Sequence, residues 1–163
     1  MLKHVTSMIE KVLNKRNLQR AYAQVLQNGG AAGVDGVSVH DLRMHLSAHW
    51  PALALDVVHQ RYLPQPIKGV EIPKSNGKTR LLGVPTTTDR FLQQAVYQVM
   101  MPHFEAEFTE HSYGFRPERN AQQAVNQSLE YINSGYGHIV DIDLKSFFDE
   151  VDHCKLLQLV YRK

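Results

Sequence analysis

Asp141-Ile-Asp-Leu-Lys-Ser-Phe-Phe-Asp149 sets carboxylates at alternate positions of an apolar run, then two aromatic rings, then a further acid. Read as a strand over His138 to Leu144, the alternation puts Asp141 and Asp143 on one face. Two like charges side by side repel, and a pleated sheet has no need of them. A divalent cation offsets that repulsion, and Mg²⁺ sites built for phosphate chemistry use one or two carboxylates together with substrate oxygens. The chemistry to expect is therefore metal-assisted work on a phosphate ester, with Asp143 and Asp141 as competing ligands.

The elements that must position these acids can be read from periodicity and turn signals. Ser7 to Glu10 has the spacing of a capping box, and the helical pattern that follows through Leu13, Leu18, Ala21, Val25 and Leu26 stops at Gly29-Gly30. Gly33-Val-Asp-Gly36 is a tight turn. Ser38 and Asp41 open a short helix towards Trp50, and Pro51 begins another to about Gln60. Pro64 and Pro66 forbid a helix, and Asn76-Gly77 between Ile72 and Thr79 predicts a hairpin with both turn residues at positive φ. From Thr88 to about Phe108 a helix is expected, with Phe91, Leu92, Ala95, Val96, Val99, Met100 and Phe104 on one face. Asn120 caps another long helix closed by Gly135 or Gly137, and Asp152 caps a last one. Helices, a hairpin, more helices and one strand make an α+β chain.

The 163 residues suffice for one domain or a lobe of something larger, and 43% hydrophobic content supports a core. No apolar run approaches the roughly 20 residues that cross a bilayer, and no secretory leader is evident at the N-terminus. One cysteine, Cys154, fits a reducing cytoplasm. Net charge is only +2, but its distribution is uneven. Lys3, Lys11, Lys15, Arg16 and Arg20 cluster in the first thirty residues, and Arg61, Lys68, Lys74, Lys78 and Arg80 in the hairpin region. Residues 141–152 reverse the sign. Basic segments around an acidic centre suit a polyanion held at its edges and met by metal in the middle, although lysines and arginines also simply solvate surfaces. Among nine histidines no ligand pair is expected on a helix face, and Cys154 reads as a small hydrophobe.

Lys74 and Arg80 flank the hairpin turn, where an ammonium and a guanidinium could rest on the oxygens of a triphosphate. The whole run Val70-Glu-Ile-Pro-Lys-Ser-Asn-Gly-Lys-Thr-Arg-Leu-Leu-Gly-Val-Pro-Thr-Thr-Thr-Asp-Arg90 resembles the first fingers block of group II intron reverse transcriptases. His111-Ser-Tyr-Gly-Phe-Arg-Pro-Glu-Arg-Asn-Ala-Gln-Gln-Ala-Val125 is similar to their second block. Gly30-Ala-Ala-Gly-Val-Asp-Gly-Val37 resembles the signature ahead of the fingers, and Val140 to His153 the palm block with the first catalytic aspartate. Leu82 stands where the family usually has proline, and Ser146 where it commonly has glycine.

The resemblance implies an α+β fold of reverse-transcriptase fingers and partial palm, mostly helical with a β-hairpin and a palm strand. It divides the chain into an RNA-facing helical extension (1–60), fingers (61–135) and the start of a palm (136–163). It implies an RNA-directed DNA polymerase working by two-metal nucleotidyl transfer, with Mg²⁺, or Mn²⁺ as substitute. Asp143 is the implied catalytic ligand, with the Leu144 carbonyl assisting and Asp141 still a competitor. Lys74, Arg80 and Arg116 are implied at the nucleotide, as is either Phe148 or Phe147 beneath the sugar. Lys11, Lys15, Arg16, Arg20, Tyr113, Phe115 and Arg119 are implied at RNA. Implied partners are template or intron RNA, a DNA primer and dNTP, with no membrane and a possible homodimer. The family's Tyr/Phe-x-Asp-Asp tetrapeptide does not occur in these 163 residues, so they are expected to be a cut or truncated piece that binds RNA without polymerising. A non-catalytic RNA-binding lobe and a retron-type reverse transcriptase are the nearest alternatives. A nucleotide-sugar transferase shares the Asp-x-Asp motif but leaves the hairpin unexplained.

Overall fold

Strong local caps decide where several helices begin. The computed structural model describes residues 8–75 and 77–162, with Asp149 as backbone only; the Ser7 cap, Lys3 and the positive φ expected at Asn76 lie outside the described residues. The chain forms two compact units, one up to Thr109 and one from Glu110. The mixture of helices with one two-stranded antiparallel sheet is the α+β class expected.

In the first unit the helical pattern is interrupted. Residues 8–12 are helical, the chain breaks at Asn14, and α1 runs Lys15–Asn28. Asn14 is extended (φ −60°, ψ 135°) and its side chain accepts from the Arg16 amide at 2.9 Å, so a new helix starts there rather than continuing the old one. Asn17 then donates to the carbonyls of Val12 (2.8 Å) and Ala95 (2.9 Å), fastening the break to a later helix. Gly29, at φ 62°, ends α1 as expected.

The two helices expected around Pro51 are one, α2 (Leu42–Val58), with Pro51 inside it. Proline deletes one helical hydrogen bond. Leu42 is buried and Leu46, Trp50, Leu53 and Val57 pack on the core, so the apolar stripe carries the helix past the defect. Strands β1 (Lys68–Pro73) and β2 (Thr79–Val84) pair antiparallel with Ile72 opposite Arg80. Their turn differs from the two-residue type expected. Gly77 donates to Lys74 at 3.0 Å and Lys74 to Lys78 at 2.6 Å, so Gly77 closes a turn begun at Lys74 and supplies the positive φ of 77° there.

Helix α3 (Thr87–Glu105) supplies the other half of the core. Phe91, Leu92 and Ala95 meet Ala21, Val25, Val39 and Leu42, and Trp50 stands edge-on to Phe91 at 5.9 Å. Val96, expected on that face, is 39% exposed.

The N-terminus of α3 is a polar knot. Asp89, 3% exposed, accepts from the Thr86 hydroxyl (2.6 Å), the Gln65 amide (3.2 Å) and the Tyr62 hydroxyl. Thr86 in turn accepts from the Asp89 amide at 3.1 Å, capping the helix. Thr87 donates to the Val37 carbonyl at 2.6 Å, and Arg90 reaches the carbonyls of Gly29 (2.9 Å) and Ala31 (2.8 Å). A Cβ on Gly33 would lie 2.6 Å from Thr86 Cα, so only glycine allows the Gly-Val-Asp-Gly turn to lie this close to the helix start.

Desolvation, then the hydrogen bond to Asp89 and its charge, hold the Tyr62 hydroxyl well above its ordinary value of 10.0. The folded state thus keeps a proton that the unfolded chain releases above that pH, and the stability this gives is lost as pH rises from there. Unfolding free energy measured in urea should decline above about pH 10, and Tyr62→Phe should remove part of the decline.

The second unit contains α4 (Ala121–Asn133), α5 (Phe147–Glu150) and α6 (His153–Tyr161). Asn120 and Gln123 form a reciprocal capping box, and Asp152 accepts from the Lys155 amide at 3.0 Å, as both acid and amide were expected to do. The strand expected over 138–144 is absent. A strand requires a partner for its ladder, and the sheet among the described residues contains only β1 and β2. Ile139, Val140 and Ile142 are each more than 80% exposed, so neither side of this run is covered. The shared-face argument for Asp141 and Asp143 goes with the strand. Among the described residues, no helix is long and apolar enough to cross a membrane.

Candidate functional site

Immediately after that irregular run the chain turns sharply, and the turn builds a cavity. Ser146 adopts the left-handed conformation (φ 50°, ψ 37°) and leads into α5. Ile142, Asp143, Leu144, Ser146, Phe147 and Phe148 line the resulting concavity of about 690 Å³. Asp141 is not among the lining residues. The Phe147 and Phe148 rings meet edge-to-face with centroids 5.4 Å apart, and Phe148 is the more open, at 86% against 50% exposed.

Among the described residues, Asp143 and Ser146 are the lining residues whose side chains carry oxygen. Oxygen donors suit a hard cation such as Mg²⁺, which keeps several waters and takes further oxygens from phosphate. Among the described residues no group of three or more His, Cys, Asp or Glu side chains gathers to hold a metal. The donor set fits Mg²⁺ as part of a site, with one carboxylate.

A non-glycine residue in the left-handed region costs about 1–2 kcal/mol, and glycine returns about 0.5–1 of that through its freer unfolded chain. Ser146→Gly should therefore raise unfolding stability by roughly 0.5–1 kcal/mol in urea, whereas Ser146→Ala, which keeps Cβ, should not.

The first unit holds Lys74, Arg80 and the cationic candidates near the N-terminus. Arg80 lies directly across from Ile72, two residues before Lys74, so hairpin register brings both cations to the turn end. Both are exposed, as are Lys11, Lys15, Arg16 and Arg20 beside and on α1. In the second unit, Phe115 is fully exposed at a φ of 55°, and the Arg119 guanidinium sits 5.5 Å from the Tyr113 ring centre. Arg116 donates to the Ser112 carbonyl at 2.9 Å, and Tyr131 bridges His111 and Tyr136 by ring contacts.

Two features went unread in the sequence. The Thr86–Arg90 knot is one, and its only local trace is Thr86-x-x-Asp89, a helix-start signal. The other is His45 and His49, four apart on α2 with ring centroids 4.4 Å apart, which overturns the expectation that no histidine pair shares a helix face. The i, i+4 spacing was sufficient to find it.

Comparison with known proteins agrees with the family resemblance. Residues 72–162, more than half of the chain, match the family described as reverse transcriptase (RNA-dependent DNA polymerase). "Protein YkfC" of Escherichia coli K12 is 38% identical over 135 residues, covering 80% of this chain and 35% of that protein. "Group II intron-encoded protein LtrA" of Lactococcus lactis subsp. cremoris is 37% identical over 103 residues, 63% of this chain and 17% of LtrA. "Nuclear intron maturase 1, mitochondrial" of Arabidopsis thaliana is 31% identical over 81 residues, 48% of this chain and 11% of that protein. The chain thus spans about a third or less of these relatives. By its motifs and by these matches, the chain belongs to the reverse transcriptase family and is similar to the family's group II intron-encoded members.

Proposed function

We propose that these residues supply the nucleotide- and RNA-contacting fingers, and the first catalytic aspartate, of a group II intron-type RNA-directed DNA polymerase. The observation that carries this reading is the cavity that gathers Asp143, Leu144, Phe147 and Phe148 while leaving Asp141 outside. In functional terms residues 1–60 form an RNA-facing extension, 61–135 the fingers and 136–163 the start of a palm. The names of LtrA and the Arabidopsis maturase support RNA as the partner.

In this reading the Asp143 carboxylate and the Leu144 carbonyl hold divalent metal at the cavity. Mg²⁺, when bound, acidifies the primer 3′-hydroxyl and neutralises charge on the leaving pyrophosphate. Lys74 and Arg80 hold triphosphate oxygens, the guanidinium by its two-pronged fork. Arg116 is assigned to the nucleotide as well. Phe148, the more open ring, packs beneath the incoming sugar and excludes a 2′-hydroxyl, with Phe147 edge-on behind it. Lys11, Lys15, Arg16 and Arg20 contact RNA phosphates, while Tyr113, Phe115 and Arg119 present ring and guanidinium faces to unstacked bases.

One lining carboxylate among the described residues, and no Tyr/Phe-x-Asp-Asp tetrapeptide in this sequence, support the further reading that the 163 residues alone bind RNA without extending a primer. Robust primer extension by the purified chain would sink it. A purely RNA-holding role is favoured instead if binding survives both EDTA and Asp143→Ala. If the basic residues grip phosphates, the affinity for single-stranded RNA should fall steeply with salt, at a log–log slope of about −0.7 per contact. Filter binding across a salt series measures this. A flat response would return the basic residues to ordinary surface.

A further inference from the structure

We infer that His45 and His49 form a second, surface site on α2 for a borderline divalent cation such as Zn²⁺, separate in chemistry from the Asp143 cavity. The two imidazoles lie one helical turn apart, with ring centroids 4.4 Å apart and planes inclined by 31°. His49 is exposed, and its Nδ1 lies 2.8 Å from the His45 carbonyl. A carbonyl can only accept, so that nitrogen carries the proton and Nε2 presents its lone pair. Metal-bound histidines are held in this way, with the non-ligating nitrogen donating to a carbonyl or carboxylate.

Two nitrogens that share a tetrahedral Zn²⁺ lie about 3.3 Å apart, from Zn–N bonds of about 2.0–2.1 Å. The ring centres are 4.4 Å apart and the planes inclined by 31°, so binding requires side-chain rotation that turns the two in-plane lone pairs onto one ion. The donor set is two imidazoles, because among the described residues no third His, Cys, Asp or Glu gathers with them. Water fills the remaining positions. Nitrogen donors select Zn²⁺, Cu²⁺ or Ni²⁺ over Mg²⁺, whereas the oxygen donors at Asp143 do the reverse, so the two sites would sort ions by ligand type. The inference is independent of the polymerase reading.

The test uses the untagged 163-residue protein titrated with ZnCl₂, followed by calorimetry and by the imidazole signals of the nine histidines in two-dimensional NMR. One saturable site is expected, with the largest shifts at His45 and His49. His45→Gln and His49→Gln should each weaken binding at least tenfold, because a chelate becomes a single ligand. Far-ultraviolet circular dichroism should remain unchanged, since both replacements keep a helix-forming residue. The inference is overturned if Zn²⁺ binding is not saturable. It is equally overturned if the shifts fall on other histidines, or if both variants bind like the parent. MgCl₂ should leave the two rings unmoved, and comparable Mg²⁺ shifts there would count against the selectivity.

Discussion

Asp143→Ala should lower primer extension by about a thousandfold or more in a polymerising protein that contains these residues, about 4 kcal/mol of barrier. In the proposed reading this carboxylate, which lines the cavity, would be the charged anchor of the cation. RNA affinity should change little, because Lys11, Lys15, Arg16 and Arg20 belong to the other unit. Asp141→Ala is the discriminating control. Lying outside the cavity lining, it should cost far less, and rates within tenfold of the parent are expected. Equal losses in the two variants, measured by single-turnover nucleotide incorporation, would restore Asp141 as a ligand.

The second large effect concerns stability. Asp89→Ala should lower the unfolding free energy by about 3 kcal/mol, because it leaves buried donors without their acceptor and removes part of a helix cap. The Tyr62 and Thr86 hydroxyls and the Gln65 amide all point at this carboxylate, and Asp89 is 3% exposed. For a chain of this length the melting temperature should fall by roughly 10 °C. Asp152→Ala removes a cap of similar form at an exposed position, and about 1 kcal/mol is expected there. Urea unfolding of both variants gives the comparison. A loss at Asp89 no larger than that at Asp152 would mean that water replaces the knot.

What could be read in the residues follows range of interaction. Caps at Asn120 and Asp152, the stop at Gly29 and the hairpin between Ile72 and Thr79 are settled within a few positions, and each is present. The turn type was misread because a one-position change of closure moves Gly77 from the middle of a two-residue turn to its end. The strand over 138–144 failed for a physical reason: alternation states which faces a strand would have, while the ladder depends on a neighbour. Pro51 did not break α2 because four apolar side chains along that helix pack on the core. At the candidate site, Asp143, Phe147 and Phe148 are close in sequence and line one concavity, while the left-handed backbone at Ser146 between them had no local signal in the residues. The Asp89 knot depends on residues more than twenty positions away, which no local pattern reveals.

The fit of Gly33 against Thr86, with Arg90 clasping Gly29 and Ala31, binds two distant stretches of sequence into one fitted joint. The opening segment is therefore no detachable handle. In chimeras between relatives, a crossover anywhere between positions 37 and 85 would mate halves shaped for different counterparts, whereas one placed after Glu105 keeps both halves of the joint from a single parent.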